Sequence, residues 1–142
     1  MAAPTFTYAL QTSSVTGLPM ITEDQLTLTV WFTLVMSSGA YAAGGVTVDW
    51  TQLFALLNGG PGKSLPSGAL PLTPVELESA RTTAQANEYL YHFVPGTTLS
   101  NGTIQIFTGA AAQTALTELS NGAVPSGVTG DIISGRITFP KL

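Results

Sequence analysis

The sequence predicts an all-β protein with a single domain over residues 1–142, folded as an antiparallel β-sandwich of jelly-roll type or as a closely related barrel. Three observations lead to this fold class. Apolar and polar residues alternate in several short segments, Gly and Pro lie between these segments, and no alternation of strands with helices runs along the chain. A chain of 142 residues is long enough to bury one hydrophobic core without disulfide bonds.

The N-terminal third of the chain contains two predicted strands. Residues 6–10 alternate apolar and small side chains, which predicts a first strand preceded by an N-terminal arm over residues 1–5. After a polar, turn-like stretch over 11–18, a long strand is predicted over 26–36, because β-branched and aromatic residues dominate it. One face of that strand is predicted to enter the core, with Leu26, Leu28, Val30, Phe32 and Leu34 on it.

The next elements are a turn, a short strand and a helix. The turn ends in a Tyr-x-x-Gly-Gly pattern and is followed by a predicted strand over 46–48. Residues 49–57 have helical spacing of their apolar side chains and predict one short helix. Asp49 is predicted to cap this helix, because its carboxylate can accept hydrogen bonds from the first-turn N–H groups. A long loop rich in Gly and Pro is predicted over 58–74.

The C-terminal half is predicted to contain four more strands, over 75–78, 89–94, 103–107 and 131–139. The Ala-rich residues 110–119 fit a helical turn or a loose strand, and 125–130 fit a turn. The last strand is predicted to contribute Ile133, Ile137 and Phe139 to the core. These segments bring the total to seven or eight short strands, which is typical of a sandwich or barrel.

The composition is unusual in its small number of charged residues. Charged side chains form 8% of the sequence, against about 25% in ordinary soluble domains. A weakly charged surface separates neighbouring proteins poorly, which favours a protein that works within an assembly. The four cations, Lys63, Arg81, Arg136 and Lys141, are too scattered for a nucleic-acid patch. We therefore expect no direct contact with nucleic acid.

Other classes of protein are disfavoured by what the sequence lacks. With no Cys, it offers no disulfide, thiolate zinc site or Cys nucleophile. No apolar stretch approaches the ~20 residues of a membrane-spanning helix, and the N-terminus does not resemble a secretory signal. His92 is the only histidine, so a metal site would depend on carboxylates alone, and a structural or interface role is favoured. We expect no metal and no cofactor.

Two further patterns are candidate sites of chemistry. Residues 59–64 resemble a phosphate-binding loop, but Leu57 occupies the position where the motif needs its first Gly. Glu76 and Glu78 share one strand face roughly 7 Å apart, which suits a glycosidase pair in separation, although such spacing more often marks a solvated face. The sequence therefore predicts a protein that is not an enzyme, with a glycan hydrolase as a less favoured alternative.

The aromatic residues also fit two interpretations. They could form a platform on which sugars stack, or they could pack in the core and at interfaces. The second interpretation is favoured, because the sequence shows no row of polar partners beside them. The residues concerned are Trp31, Trp50, Tyr41, Tyr89 and Tyr91.

The order of strands and turns from Leu26 to the C-terminus resembles the small β-rich virion proteins of tailed bacteriophages, which are often encoded near the major capsid gene. The loop over 58–74 departs from that pattern, since the relatives tend to have a shorter segment there. The turn and packing positions that match most clearly are Tyr41, Gly44, Gly45, Asp49, Phe107 and Phe139, and the pattern also includes Leu53, Val75, Tyr91, Ile104 and Ile137.

The resemblance implies a capsid decoration (cement) protein that binds and stabilises the expanded capsid shell. It further implies a homotrimer on the capsid surface of the virion, with the major capsid protein as its partner. An N-terminal arm such as residues 1–5 could add a strand to a neighbouring subunit. The alternative is a receptor- or glycan-binding module of a head fibre or tail fibre.

Overall fold

The computed structural model describes residues 1–57, 73–79, 89–109 and 115–140. Within these ranges the chain forms eleven strands and two short helices, so the all-β prediction is confirmed. The strands are β1 (Phe6–Leu10), β2 (Ile21–Glu23), β3 (Thr27–Met36), β4 (Ala40–Tyr41), β5 (Val46–Val48), β6 (Thr73–Ser79), β7 (Tyr89–Val94), β8 (Gly102–Thr108), β9 (Thr117–Glu118), β10 (Gly122–Ala123) and β11 (Ile133–Pro140). The helices are α1 (Thr51–Leu56) and α2 (Ser126–Thr129).

Two antiparallel sheets are built on the same plan. In the first sheet the order is β1-β3-β11-β6, and β2 also pairs with β3, at the opposite end of that strand from β1. In the second sheet the order is β5-β8-β7, and β9 also pairs with β8. Each sheet therefore has one long central strand with a long partner on one side and two short partners on the other. A separate ribbon joins β4 to β10.

The inner faces of both sheets share one hydrophobic core. In β3, buried residues alternate with partly exposed ones along the strand, which is the pattern that the sequence predicted. Trp50 lies between the sheets, with its ring centroid 5.1 Å from that of Phe32 and 5.5 Å from that of Phe93. The core residues contributed by the strands include Leu28, Val30, Phe32, Leu34, Val46, Val48, Tyr91, Phe93, Ile104, Ile106, Ile133, Ile137 and Phe139. The sandwich is thus confirmed, and its jelly-roll order stays a prediction.

A glycine lies under an aromatic ring in each sheet. A Cβ atom on Gly135 would collide with the ring of Phe32, whose strand pairs with that of Gly135. A Cβ atom on Gly102 would collide with the ring of Phe93 in the same way. These glycines let the two rings lie close to the sheets, which leaves room between the sheets for Trp50.

The ends of two elements differ from the sequence prediction. Leu26, predicted to face the core, is 74% exposed because β3 begins one residue later. Asp24 sets that start, since its carboxylate accepts hydrogen bonds from the N–H groups of Leu26 and Thr27 at 2.8 and 2.6 Å. The helix predicted over 49–57 is found as α1, which is shorter at both ends.

Some predicted features lie outside the described residues. These are the loop over 58–74, apart from the two residues that begin β6, and the glycine-rich 59–64 segment within it. Residues 110–114 are also outside, and the remainder of that Ala-rich stretch contains β9. The turn predicted over 125–130 contains the single turn of α2. No helix of the described ranges is long and apolar enough to cross a bilayer.

Residues 2–5 lie against the turn that follows β3. The carbonyl of Ala2 accepts a hydrogen bond from the N–H of Ala40, and the carbonyl of Thr5 accepts one from Ser37, both at 2.9 Å. A Cβ atom on Gly39 would lie 2.7 Å from the backbone nitrogen of Pro4, so a residue without a side chain is needed there. In this conformation the segment predicted as an arm is docked on its own domain.

Candidate functional site

The Tyr-x-x-Gly-Gly turn needs both of its glycines for steric reasons. Gly44 and Gly45 each have a φ of 103°, a backbone conformation that side-chain-bearing residues rarely adopt. At Gly45 the space is also closed, because an added Cβ atom would lie 2.8 Å from the carbonyl oxygen of Ile104. The turn therefore packs directly on the backbone of β8.

The carboxylate of Glu118 ties this turn to the second sheet. Its Oε1 atom accepts hydrogen bonds from the Tyr41 hydroxyl at 2.8 Å and from the Gly44 N–H at 2.6 Å. The Tyr41 hydroxyl in turn accepts from the N–H of Ile106 at 3.2 Å, and Gln105 Nε2 donates to Glu118 Oε2 at 3.3 Å. We call these three side chains and two backbone N–H groups the Glu118 network. Its contacts are all within the chain, so they serve the fold.

We expect the protein to lose stability between pH 10 and pH 12. Burial raises the pKa of Tyr41 to about 12, and the neighbouring Glu118 carboxylate acts in the same direction. Burial also raises the pKa of Tyr8 to about 12, with the Asp49 charge as a smaller cause. Because both folded-state pKa values lie above the ordinary tyrosine pKa of 10.0, folding favours the neutral phenols. Their contribution is complete below pH 10 and is lost as the pH rises through the folded-state values.

Denaturant unfolding measured from pH 9 to pH 12 tests this alkaline loss. The matched control is the double variant Tyr8→Phe/Tyr41→Phe, which cannot ionise at these positions and should show a flatter pH dependence. If the free energy of unfolding fell equally steeply with pH in the variant and in the original protein, ionisation of the two phenols would not be the cause of the alkaline loss.

The three other positions that match the virion-protein pattern most clearly lie in separate parts of the fold. Asp49 Oδ1 accepts hydrogen bonds from the N–H of Thr51 at 3.0 Å and from its hydroxyl at 2.6 Å, while Trp50 holds the N-cap position itself. Phe139 is fully buried, and its ring centroid is 4.5 Å from that of Phe54 in α1. Phe107 lies on the outer face of the second sheet, half-buried, with its ring edge against His92. The structure therefore does not bring all six positions together.

A depression lies on the outer face of the first sheet. Its volume is about 440 Å³, and we call it the Trp31 depression. Trp31 in β3 is directly opposite Arg136 in β11, and Arg136 is directly opposite Glu76 in β6. Arg136 and Glu76 form an ion pair at 2.7 Å, and both side chains remain about half exposed or more. The lining residues are Gln11, Trp31, Glu76, Leu77, Glu78, Ser134, Gly135 and Arg136.

The sequence alone did not reveal these polar partners of Trp31. Arg136 and Glu76 come from β11 and β6, far along the chain, and only strand pairing places them beside the indole. The alternation in each strand indicates which side chains face outward, but it does not fix which strands are neighbours. The sequence expectation that no polar row accompanies the tryptophans is therefore wrong for Trp31.

A hairpin projects between β1 and β2 and has an apolar tip. Thr12 forms a bridge with Pro19, and the N–H of Ser13 donates to the carbonyl of Leu18 at 2.9 Å. At the tip, Val15 is 90% exposed and Leu18 is 64% exposed. The whole segment from residue 1 to residue 22 contains no charged side chain. We call residues 12–19 the apolar hairpin.

Most charged side chains in the described ranges bind their own chain. Asp24, Asp49, Glu118 and Asp131 accept hydrogen bonds from nearby N–H or hydroxyl groups, and Glu76 pairs with Arg136. The eight charged residues in these ranges are Glu23, Asp24, Asp49, Glu76, Glu78, Glu118, Asp131 and Arg136. Much of the remaining outer surface carries Thr, Ser, Gln and apolar side chains.

The carboxylates on the outer face suit binding better than acid catalysis. Glu76 and Glu78 are both exposed, and Glu76 contacts a guanidinium group, whereas a catalytic acid is typically held in an apolar site away from water. His92 is exposed on the other sheet. Among the described residues, no group of three or more His, Asp or Glu side chains is placed to hold a metal ion.

Comparison with known proteins identifies no relative of the chain. No protein-family model, no curated protein and no solved structure matches the chain.

Proposed function

We propose that this protein is a capsid decoration (cement) protein of a tailed bacteriophage. In this proposal it is a structural virion protein that binds and stabilises the expanded capsid shell. It contacts the major capsid protein and forms a homotrimer on the capsid surface. The observation that carries the proposal is the use of charge, since most charged side chains of the described residues are held by contacts within the chain.

Such a surface favours association over separation. Mixed surface charge keeps soluble proteins apart, and a surface without it associates readily through apolar and hydrogen-bonding contacts. The apolar hairpin supports the same conclusion, because Val15 and Leu18 are exposed at the tip of an ordered turn. We infer that this hairpin is one contact with the shell.

The stabilising action follows from mass action. A ligand that binds the expanded shell and not its precursor shifts the equilibrium towards the expanded form by its binding free energy. Three linked copies would engage neighbouring capsid subunits at once, so that individually weak contacts sum to a firm attachment. The resemblance of the strand and turn order to small phage virion proteins supports this reading.

Binding to capsid shells tests the proposal. The protein is mixed with expanded shells and with procapsids assembled from the major capsid protein of the phage that encodes it, and the pelleted fraction is measured after sedimentation. We expect binding to expanded shells alone, and light scattering of the free protein should give three times the 14.7 kDa mass of the chain. A monodisperse monomer that binds neither shell would contradict the proposal.

A pair of variants tests the role of the hairpin. Val15→Asp/Leu18→Asp places charge on the apolar hairpin and should weaken shell binding about tenfold or more, because two apolar contacts are replaced by desolvated carboxylates. The control is Leu90→Asp/Ile132→Asp, which changes two half-exposed apolar residues elsewhere on the surface. Equal losses in both variants would show that the hairpin has no special part in the contact.

A further inference from the structure

We propose that the Trp31 depression is a binding site for a neutral saccharide. This inference goes beyond shell binding and does not depend on it, since no residue of the apolar hairpin lines the depression, although Gln11 directly precedes that hairpin. For Trp31 it adopts the less favoured of the two sequence interpretations of the aromatic residues, a platform on which sugars stack.

The geometry places an aromatic ring, a guanidinium and a carboxylate in one row across the sheet. Trp31, Arg136 and Glu76 are successive cross-strand neighbours, and such neighbours have Cβ atoms about 5 Å apart. In the adjoining row Ser134 is opposite Glu78. An indole therefore borders a patch of polar side chains, all of them on paired strands that hold them rigidly.

The size and shape fit a small ligand. The volume of about 440 Å³ lies within the roughly 300–1,000 Å³ of small-molecule sites in proteins. Gln11 is oriented at one side, because its Nε2 atom donates to the carbonyl of Phe32 at 3.2 Å. Leu77 and Gly135 also border the depression, although their side-chain positions alternate with those of Glu76 and Arg136 and face the core.

The chemistry of the lining favours a pyranose ring. A sugar ring presents an apolar C–H face that packs on an aromatic ring, and its edge carries hydroxyl groups that both donate and accept hydrogen bonds. Trp31 supplies the aromatic surface. The carboxylates of Glu76 and Glu78 accept from hydroxyl groups, and the Arg136 guanidinium donates to them.

The charge of the lining favours a neutral sugar over an anionic one. Arg136 is already paired with Glu76, and Glu78, which has no hydrogen-bond partner among the described residues, leaves an excess negative charge. An anionic sugar would be repelled by that charge at close range. Uncharged hydroxyl groups can satisfy both kinds of group without opposing either.

A glycan array followed by calorimetric titration tests this inference. The array carries neutral, sialylated and sulfated oligosaccharides, and the neutral oligosaccharide with the strongest signal is then titrated into the intact protein. We expect binding to neutral glycans, with affinity about tenfold lower in Trp31→Ala and an intermediate loss in Trp31→Phe, which keeps part of the stacking surface. Glu78→Gln should weaken binding about threefold or more, because a charged acceptor is lost.

The controls separate a loss of binding from a loss of folding. Phe107→Ala truncates a half-buried aromatic residue on the outer face of the other sheet and should leave the affinity unchanged. Glu78 is exposed, so its substitution should not affect the melting temperature. Three results would overturn the inference: the original protein binds no neutral glycan, it prefers sialylated or sulfated glycans, or Trp31→Ala binds with undiminished affinity. Shell binding measured on Trp31→Ala is expected to be unchanged, which keeps the two proposals distinguishable.

Discussion

Replacing Trp50 with alanine is expected to lower the free energy of unfolding by about 3–5 kcal/mol, the usual cost of removing a large aromatic side chain from a core. Trp50 is fully buried, and its ring meets those of Tyr8, Phe32 and Phe93 edge to face. It also orders the start of α1, since its N–H donates to the carbonyl of Leu99 at 2.9 Å. The loss would be a large part of the 5–15 kcal/mol that stabilises a typical domain.

Trp50→Phe is the matched control for this substitution. The indole Nε1 is buried and has no hydrogen-bond partner within the described ranges, so a phenyl ring would lose contact area without losing a hydrogen bond. We expect a loss of about 1–3 kcal/mol by chemical denaturation. Equal losses in Trp50→Phe and Trp50→Ala would mean that the indole contributes something other than packing.

Asp131→Ala is expected to cost about 3 kcal/mol or more, since hydrogen bonds to a charged group contribute about 1.5–3 kcal/mol each. Asp131 is 1% exposed and lies just before β11. Its Oδ2 atom accepts from the Ser79 hydroxyl at 2.7 Å and from the Tyr91 hydroxyl at 2.8 Å. Ser79 belongs to the first sheet and Tyr91 to the second, so one carboxylate links both layers of the sandwich.

A double-mutant cycle measures this link. Asp131→Ala, Tyr91→Phe and the combined variant are unfolded in urea, and the coupling energy is taken from the four free energies. A coupling of about 1 kcal/mol or more is expected, because both substitutions remove the same hydrogen bond. Strict additivity would show that the carboxylate and the phenol act independently.

The strands were predictable where the sequence alternates over five or more residues. The long run that became β3 and the runs that became β7 and β8 follow a period of two, and in β3 the buried face is the predicted one apart from Leu26. The strands β2, β4, β9 and β10 have only two or three residues, which is too short for any period to appear. Of these, β2 and β9 pair with long strands, whereas β4 and β10 pair with each other, so each depends on a partner strand, which is a tertiary cause.

The candidate sites were less predictable than the strands. Gly44 and Gly45 were identified from the Tyr-x-x-Gly-Gly pattern, and their positive φ values give the physical reason for that pattern. Their partner Glu118 was not identified, because nothing local indicates that it reaches back to the turn. The Trp31 depression likewise depends on pairing between strands that are distant in sequence, which periodicity does not encode.

Most charged side chains of the described residues are bound within the chain, and this determines how salt should affect the protein's contacts with other molecules. Salt weakens attraction between exposed ions over distances beyond about 8–10 Å, yet it strengthens the burial of apolar surface when the anion is sulfate or phosphate. Contacts made by an outer surface of hydroxyl, amide and hydrocarbon groups should therefore persist at high salt concentration, whereas assemblies held together by opposite charges dissociate.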